Sequence, residues 1–314
     1  MMPPRFWQQP NTTLPAIALQ AFSPLWVLAA RMRAHFANPY SSRLPVICVG
    51  NVTLGGAGKT PTAIALLKAF KVDNPCFLTR GYLGQTRVAT HVASPDAGIY
   101  GDEAVLLSRH APTIVSPNRV EGLRLAETTG HDLVIADDGF QNPTFAKNAS
   151  LLVIDGGAGI GNGRVIPAGP LREPLNDALK RAKAVLIIGD DKNNVAKRIT
   201  VPVFRGVMKP VNPQPSGKKY VAFAGIGRPE KFFATLREAQ YNVIETVSFA
   251  DHHAYTEADR ARLASLAARH EAQLITTEKD RVRLAQNMKD VETLGVELEI
   301  EDIDRLVALL QGAR

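Results

Sequence analysis

The chain is poor in the features of exported and membrane-spanning proteins. Its 314 residues hold two cysteines, Cys48 and Cys76, each in an apolar stretch and not at metal-ligand spacing. That excludes a disulfide framework and a cysteine-based metal site, and it fits a reducing cytosol. Cys48 falls inside the first expected strand, where a small core residue is its simplest role. Long apolar runs are also missing. The stretch Leu14 to Ala30 covers 17 residues, is interrupted by Pro15 and Pro24, and falls short of the ~20 that a transmembrane helix needs. A secretory signal is excluded as well, because Arg31, Arg33 and His35 follow the run instead of preceding it. Two uses stay open: a helix lying in a bilayer surface, with Trp7 and Trp26 at headgroup depth, or a helix packed on the protein's own body.

Acidic side chains are absent before Asp73, where Arg5, Arg31, Arg33, Arg43, Lys59, Lys68 and Lys71 stand. Those seven positives equal the whole net charge of +7, so the rest of the chain is balanced. The imbalance calls for a local anionic partner at the N-terminal end, and a bilayer surface is one such partner. Repeats and low-complexity tracts are missing too. What is present, 45% apolar and 21% charged residues, describes a globular chain with room for two domains.

The most informative stretch runs from Val46 to Thr60. A β-branched apolar run, Val46-Ile47-Cys48-Val49, leads through Thr53-Leu54-Gly55-Gly56-Ala57-Gly58-Lys59-Thr60 into a helix opening with Pro61. A loop without Cβ atoms lets backbone N–H groups close on phosphates, Lys59 reach the β/γ-phosphates and Thr60 ligate Mg²⁺. Thr53 stands where the strict Walker pattern has Gly, so the match is to a Gly-Gly-x-Gly-Lys-Thr variant. Pro61 suits a first helical turn, where its missing N–H costs nothing.

Strands are expected at 75–79, 113–115, 133–136, 151–155 and 184–188, alternating with helices. Continuously apolar strands of this kind belong in a parallel sheet covered on both faces. The expected architecture is α/β: an N-terminal segment over 1–40, a P-loop core over 41–200, a proline-rich linker over 201–219 and a smaller α/β domain over 220–314. In that last part, Tyr220 to Gly227 reads as a strand entering a glycine turn, and Val243-Ile244 and Gln273 to Thr277 as further strands.

Asp137-Asp138 follows an apolar strand, where a carboxylate can hold Mg²⁺ or its water shell; a plain Asp-Gly turn is the other reading. Asp102-Glu103 after Gly101 is a second carboxylate pair, or a helix start with an acidic first turn. Asp251-His252-His253 could orient or activate a base, or be surface. Arg80, Arg119 and Arg172 each follow a strand or lie in a Gly/Pro loop, as phosphate-binding or as solvated charges.

Together the motifs carry a resemblance. The order Gly50-Asn51, Gly55 to Pro61, Arg80-Gly81-Tyr82, Gly101-Asp102-Glu103, Asp137-Asp138-Gly139-Phe140-Gln141, Pro167-Ala168-Gly169-Pro170-Leu171-Arg172-Glu173, Asp251-His252 and Thr277-Glu278-Lys279-Asp280 is similar to the tetraacyldisaccharide 4'-kinase family, the lipid A kinases of Gram-negative bacteria. The resemblance covers nearly the whole chain. It implies ATP and Mg²⁺, a tetraacylated glucosamine disaccharide 1-phosphate as acceptor, and a membrane-associating helix over Leu14 to Phe36. It also implies work at the cytoplasmic face of the inner membrane, with no nucleic-acid partner; the oligomeric state stays open. Residues 53–60 (Thr53, Leu54, Gly55, Gly56, Ala57, Gly58, Lys59, Thr60) are expected to hold the nucleotide. Thr60, Glu103, Asp137 and Asp138 are assigned to metal and water. Asp102 is the expected base, tuned by His252, with Lys59 the catalytic cation. Arg80, Tyr82, Arg119, Gln141 and Arg172 are placed on the substrate side. The chain departs from the family at Asn142, where a His is usual, and at Thr79 and Leu83; the first departure argues against an essential protonic role there. Two rivals share the loop, a nucleotide-switch ATPase and a soluble small-metabolite kinase. Leu54, where such ATPases often carry a Lys, speaks against the first, and the apolar N-terminal segment against the second.

Overall fold

The computed structural model describes residues 4–8, 13–211, 213, 215, 217–284, 288 and 290–312. The rest of the expected segments 1–40, 201–219 and 220–314 lies outside the described residues. Described strands are β1 (Val46–Gly50), β2 (Pro75–Thr79), β3 (Thr90–His91), β4 (Thr113–Val115), β5 (Leu133–Asp137), β6 (Ala149–Asp155), β7 (Ala184–Ile188), β8 (Val203–Pro210), β9 (Lys219–Ala224), β10 (Asn242–Ser248), β11 (Gln273–Thr277), β12 (Glu292–Leu294) and β13 (Val296–Ile300). Described α-helices are α1 (Leu14–Gln20), α2 (Ser23–His35), α3 (Lys59–Ala69), α4 (Ala97–Tyr100), α5 (Asp102–Ser108), α6 (Arg119–Thr128), α7 (Leu175–Leu179), α8 (Pro229–Glu238), α9 (Glu257–His270), α10 (Glu278–Arg281) and α11 (Ile303–Gln311).

Backbone contacts divide the chain into two units. The large one comprises Pro3–Ser94, Gly98–Met208 and Leu298–Arg314; the small one is chiefly Lys209–Glu297. The large sheet has the order β13-β8-β7-β6-β1-β5-β2-β4-β3. From β8 across to β4 the neighbours run parallel, and β3 closes that edge antiparallel. Alternation along β1 shows why both faces are filled: Ile47 and Val49 pack on the side of α3 and α11, Cys48 and Val46 on the other. β1 is therefore apolar at every position, as a strand buried on both faces requires. Burial pushes the Cys48 and Cys76 thiols up to about 12, so both are inert core residues.

β1 lies between β5 and β6, with the earlier strands on one side and the later ones on the other. That reversal leaves a crevice beyond its carboxyl end, the usual ligand position in open α/β sheets.

The small unit has a parallel sheet of order β10-β9-β11-β12. Tyr220, Ala222 and Ala224 of β9 face α8 through Phe232, Phe233 and Leu236; Val221 and Phe223 face α9 through Leu263. Thr256 caps α9, with Asp259 returning the bond to its backbone, a capping box.

Two expectations of layout change. The segment 201–219 is not all linker, because Val203–Pro210 forms β8 and pairs parallel with β7. Nor does everything after residue 220 join the small unit: α11 buries Leu306, Val307 and Leu310 in the large core.

α1 and α2 are bent by 45° at their junction, and no single described helix is long and apolar enough to cross a membrane, although this bent pair is so taken together. Ala16 and Ser23 are their buried residues. Leu14 is 82% exposed and Phe36 77%, with Leu25 and Leu28 also exposed.

Candidate active site

The loop after β1 is shaped from inside. Asn51 is fully buried, and its Nδ2 donates to the carbonyls of Thr53 (2.7 Å) and Gly55 (3.3 Å). Gly58 caps α3 with φ +88°, and a Cβ there would lie 2.6 Å from Ile188 Cδ1. The backbone demands glycine there, whereas the Ile188 methyl could swing aside. The loop's outer edge is held by a second segment: Leu54 N–H donates to Pro170 O (2.9 Å) and Arg172 N–H to Val52 O (2.7 Å). Lys59 and Thr60 then occupy the first turn of α3, where unpaired amides and the helix dipole favour an anion.

Parallel pairing sets Asp137 beside Val49 at the end of β5. Thr60 Oγ1 donates to Asp137 Oδ2 at 3.1 Å, while buried Oδ1 has no partner. Burial, with the charges of Glu103 and Asp138 added, pushes the Asp137 carboxyl up to about 7, against the pull of Lys59 and Thr60. Its neighbour behaves oppositely. Burial works against the Asp138 charge, but Lys59 at 3.9 Å and Arg172 at 3.1 Å outweigh it and hold this carboxyl below its usual range. Among the described residues no group of three or more His, Cys, Asp or Glu could hold a metal ion.

Arg119 opens α6 and is 3% exposed. One terminal nitrogen donates to Ser116 O at 2.6 Å, and the buried Nε has no partner. Burial pushes it down to about 10, opposed by Asp138 and Asp137. Arg172 also keeps a buried, unpartnered Nε, while its Nη1 donates to Asp138 Oδ1 (3.1 Å) and Gln141 Oε1 (3.3 Å). Gln141 in turn donates to Asn51 O (2.9 Å) and Glu173 Oε1 (3.1 Å), so it braces Arg172 and the loop. Asp102 is buried at the start of α5, with Oδ1 accepting from Glu103 N–H at 2.9 Å. Gly101 before it has φ +86°, and a Cβ would meet Tyr82 O at 2.5 Å. Arg80 and Tyr82 are exposed.

His252 belongs to the small unit. Its backbone N–H donates to Gly225 O (3.0 Å) and its φ is +58°. Its Nε2 lies 3.3 Å from Lys279 Nζ and 3.8 Å from Asp251 Oδ1. His253 is used structurally, stacked on Phe249 and 2.9 Å from Asp259 Oδ2. The Thr-Glu-Lys-Asp segment owes its shape to fully buried Asp280, which accepts from Gly225 N–H, Tyr255 Oη and Thr277 Oγ1 and pairs with Arg283.

The large unit thus brings together Lys59, Thr60, Asp137, Asp138 and Arg172, with Glu103 and Arg119 close enough to act on the carboxylates. Asn51 and Lys279 have places beside these groups and beside His252 that the sequence does not assign to them. For Asn51 the available signal is an amide next to a glycine loop; for Lys279 there is none beyond its motif. Asn142 is occupied structurally, since its Oδ1 accepts from Thr144 N–H (2.9 Å) and Oγ1 (2.8 Å), an Asx turn.

The sequence profile of the tetraacyldisaccharide-1-P 4'-kinase family matches residues 15–313. A protein of Parvibaculum lavamentivorans named tetraacyldisaccharide 4'-kinase is 45% identical over 298 residues, 91% of this chain and 87% of its own length. One of the same name from Rhodospirillum centenum is 42% identical, covering 99% and 98%. A crystal structure of an "apo" form of LpxK from Aquifex aeolicus in complex with ATP superposes with a TM-score of 0.79 at 25% identity, over 95% of this chain and 99% of that one. On these matches the chain belongs to the tetraacyldisaccharide-1-P 4'-kinase family.

Proposed function

We infer that this protein transfers the γ-phosphate of ATP to the 4'-hydroxyl of a tetraacylated glucosamine disaccharide 1-phosphate. The observation that carries the reading is the glycine loop opening into α3 with Lys59 and Thr60, Thr60 lying 3.1 Å from Asp137; around it Asn51 Oδ1, Asp137 Oδ1, Arg119 Nε and Arg172 Nε are buried without partners. Orphaned buried polar groups cost on the order of 1–3 kcal/mol each, and a triphosphate with its cation would satisfy both the acceptors and the donors. Thr60 and Asp137, with Asp138 and Glu103 beside them, fit a Mg²⁺ ion. Bound there, Mg²⁺ supplies charge neutralisation to the triphosphate.

The residues divide the remaining work. Lys59 and the loop amides bind and orient the phosphates. Arg119 and Arg172 offer cations to anionic substrate oxygens, with Gln141 holding Arg172 in place. Arg80 and Tyr82, exposed after β2, are available to the acceptor. Asp102 takes the proton of the sugar hydroxyl, and His252 supports that step in the reacting complex. Little covalent chemistry is asked of the protein; positioning and charge carry the rate.

The acceptor is a lipid, and α1–α2 are the natural membrane contact. Their exposed Leu14, Leu25, Leu28 and Phe36 would each gain up to roughly 1.5–3 kcal/mol on full burial. The acid-free flank adds attraction to anionic headgroups at the cytoplasmic face of the inner membrane. Phosphorylation of the purified disaccharide lipid with γ-labelled ATP is the test. Label on the 4'-position is expected; ATP turnover unaffected by the lipid, with no labelled lipid, would favour the nucleotide-switch reading.

A further inference from the structure

The N-terminal segment is tied to the body by the Arg31–Asp177 ion pair, the Arg164–Gln20 hydrogen bond and a set of hydrogen bonds of which three fall on one loop. Ser23 Oγ donates to Val165 O (2.8 Å), Trp7 Nε1 to Pro167 O (3.1 Å) and Trp26 Nε1 to Arg172 O (2.9 Å). All three acceptors are backbone carbonyls within residues 165–172. The other edge of the same segment pairs with the phosphate loop, through the Thr53–Leu171 bridge and the Leu54–Pro170 and Arg172–Val52 hydrogen bonds. Arg172 then reaches Asp138 with its side chain. A continuous set of hydrogen bonds therefore runs from the apolar helix through one residue to a carboxylate of the site.

We propose that Trp26 is a positioning residue for phosphoryl transfer, its indole N–H holding the Arg172 carbonyl so that helix α2 fixes both the Arg172 guanidinium and the outer edge of the phosphate loop. The inference rests on the kinase reading of that site. A tryptophan at a membrane interface is ordinarily explained by its amphipathic ring alone. Here the residue is 49% exposed, while its single side-chain donor is spent on the carbonyl of the residue that also contacts Asp138. Phenylalanine would keep an apolar ring for interfacial binding but not the hydrogen bond.

The test is Trp26→Phe in the full chain, on vesicles of phosphatidylethanolamine and phosphatidylglycerol. Amide hydrogen exchange is expected to quicken at Leu54 and Arg172, the donors of the two inter-loop bonds. Flotation should persist, weakened slightly at most, and kcat should fall about three- to tenfold, the scale of one hydrogen bond. In an Arg172→Ala background the same substitution should cost less kcat than in the wild type, since the share that passes through the guanidinium is gone while the backbone bonds to the loop edge remain. Unchanged exchange at both amides overturns the proposal, as does lost flotation with kcat intact, or additive losses in the double variant. A wild-type chain that transfers no phosphate to the disaccharide would defeat the kinase reading and leave the exchange result to decide the coupling.

Discussion

The phosphate loop and the N-terminal helix pair break the ordinary rules of folding in opposite senses. Around the loop, polar atoms are buried and lack partners, among them Asp137 Oδ1 and Arg119 Nε. On α1–α2, apolar side chains face outward, while the polar atoms of Ser23 and Trp26 turn inward to backbone carbonyls. α11 is the useful contrast within the same unit. It buries Leu306, Val307 and Leu310 and exposes polar positions, so it is satisfied by its own protein. A group left unsatisfied points to the chemistry of its absent partner: ions at the loop and, on the proposed reading, lipid at the helices.

Lys59→Ala should break the first region outright, abolishing measurable transfer while thermal unfolding stays that of a folded protein. Normal turnover by the folded variant would refute the phosphate-loop assignment. Asp102→Asn and His252→Ala should each lower kcat by about 10²–10⁴-fold, the range for lost general acid–base help, with ATP affinity much less affected. If the two act as a unit, the double variant will be little worse than either single one. Additive losses would give His252 a separate role, in company with Lys279, whose Nζ lies 3.3 Å from its Nε2. Leu25→Gln combined with Leu28→Gln sharpens the second region and has the smallest effect on the fold. Stability should move by no more than about 0.5 kcal/mol per exposed site, while flotation with anionic vesicles weakens and becomes more salt-sensitive. By contrast, Leu306→Ala on α11 should cost roughly 2–5 kcal/mol, as for other buried leucines. Equal loss of stability at both helices would mean that α2 belongs to the core.

Most of the large sheet is legible in the sequence because its strands are short, uninterrupted apolar runs separated by helical spacing. β1 and β5 are examples; their neighbour relation, with Asp137 beside the phosphate loop, follows from P-loop logic. The edge is harder to read. Val203–Pro210 sits among prolines and alternates buried with exposed positions, so composition suggests a connector, and only pairing with β7 and β13 makes it a strand. The place of α11 is hidden for a similar reason: its amphipathic face names no partner, and the partner lies at the other end of the chain. Among site residues, Lys59, Thr60 and Asp137 announce themselves through local motifs. The bracing role of Gln141 does not, because its partners Asn51, Arg172 and Glu173 come together only in three dimensions.

Strands β8 and β13 are neighbours at the edge of the large sheet, and the residues between them include nearly all of the small unit. This has a consequence for the order of events on the ribosome. β1 through β8 can emerge and pair early, but β13 and α11 cannot be supplied until the intervening Lys209–Glu297 has been synthesised. For that interval the core residues that Leu306 and Leu310 later cover, such as those along α3, remain without their lid. The nascent large unit is thus an unfinished domain waiting on another, and early folding of the inserted unit would shorten the loop that must close to finish it.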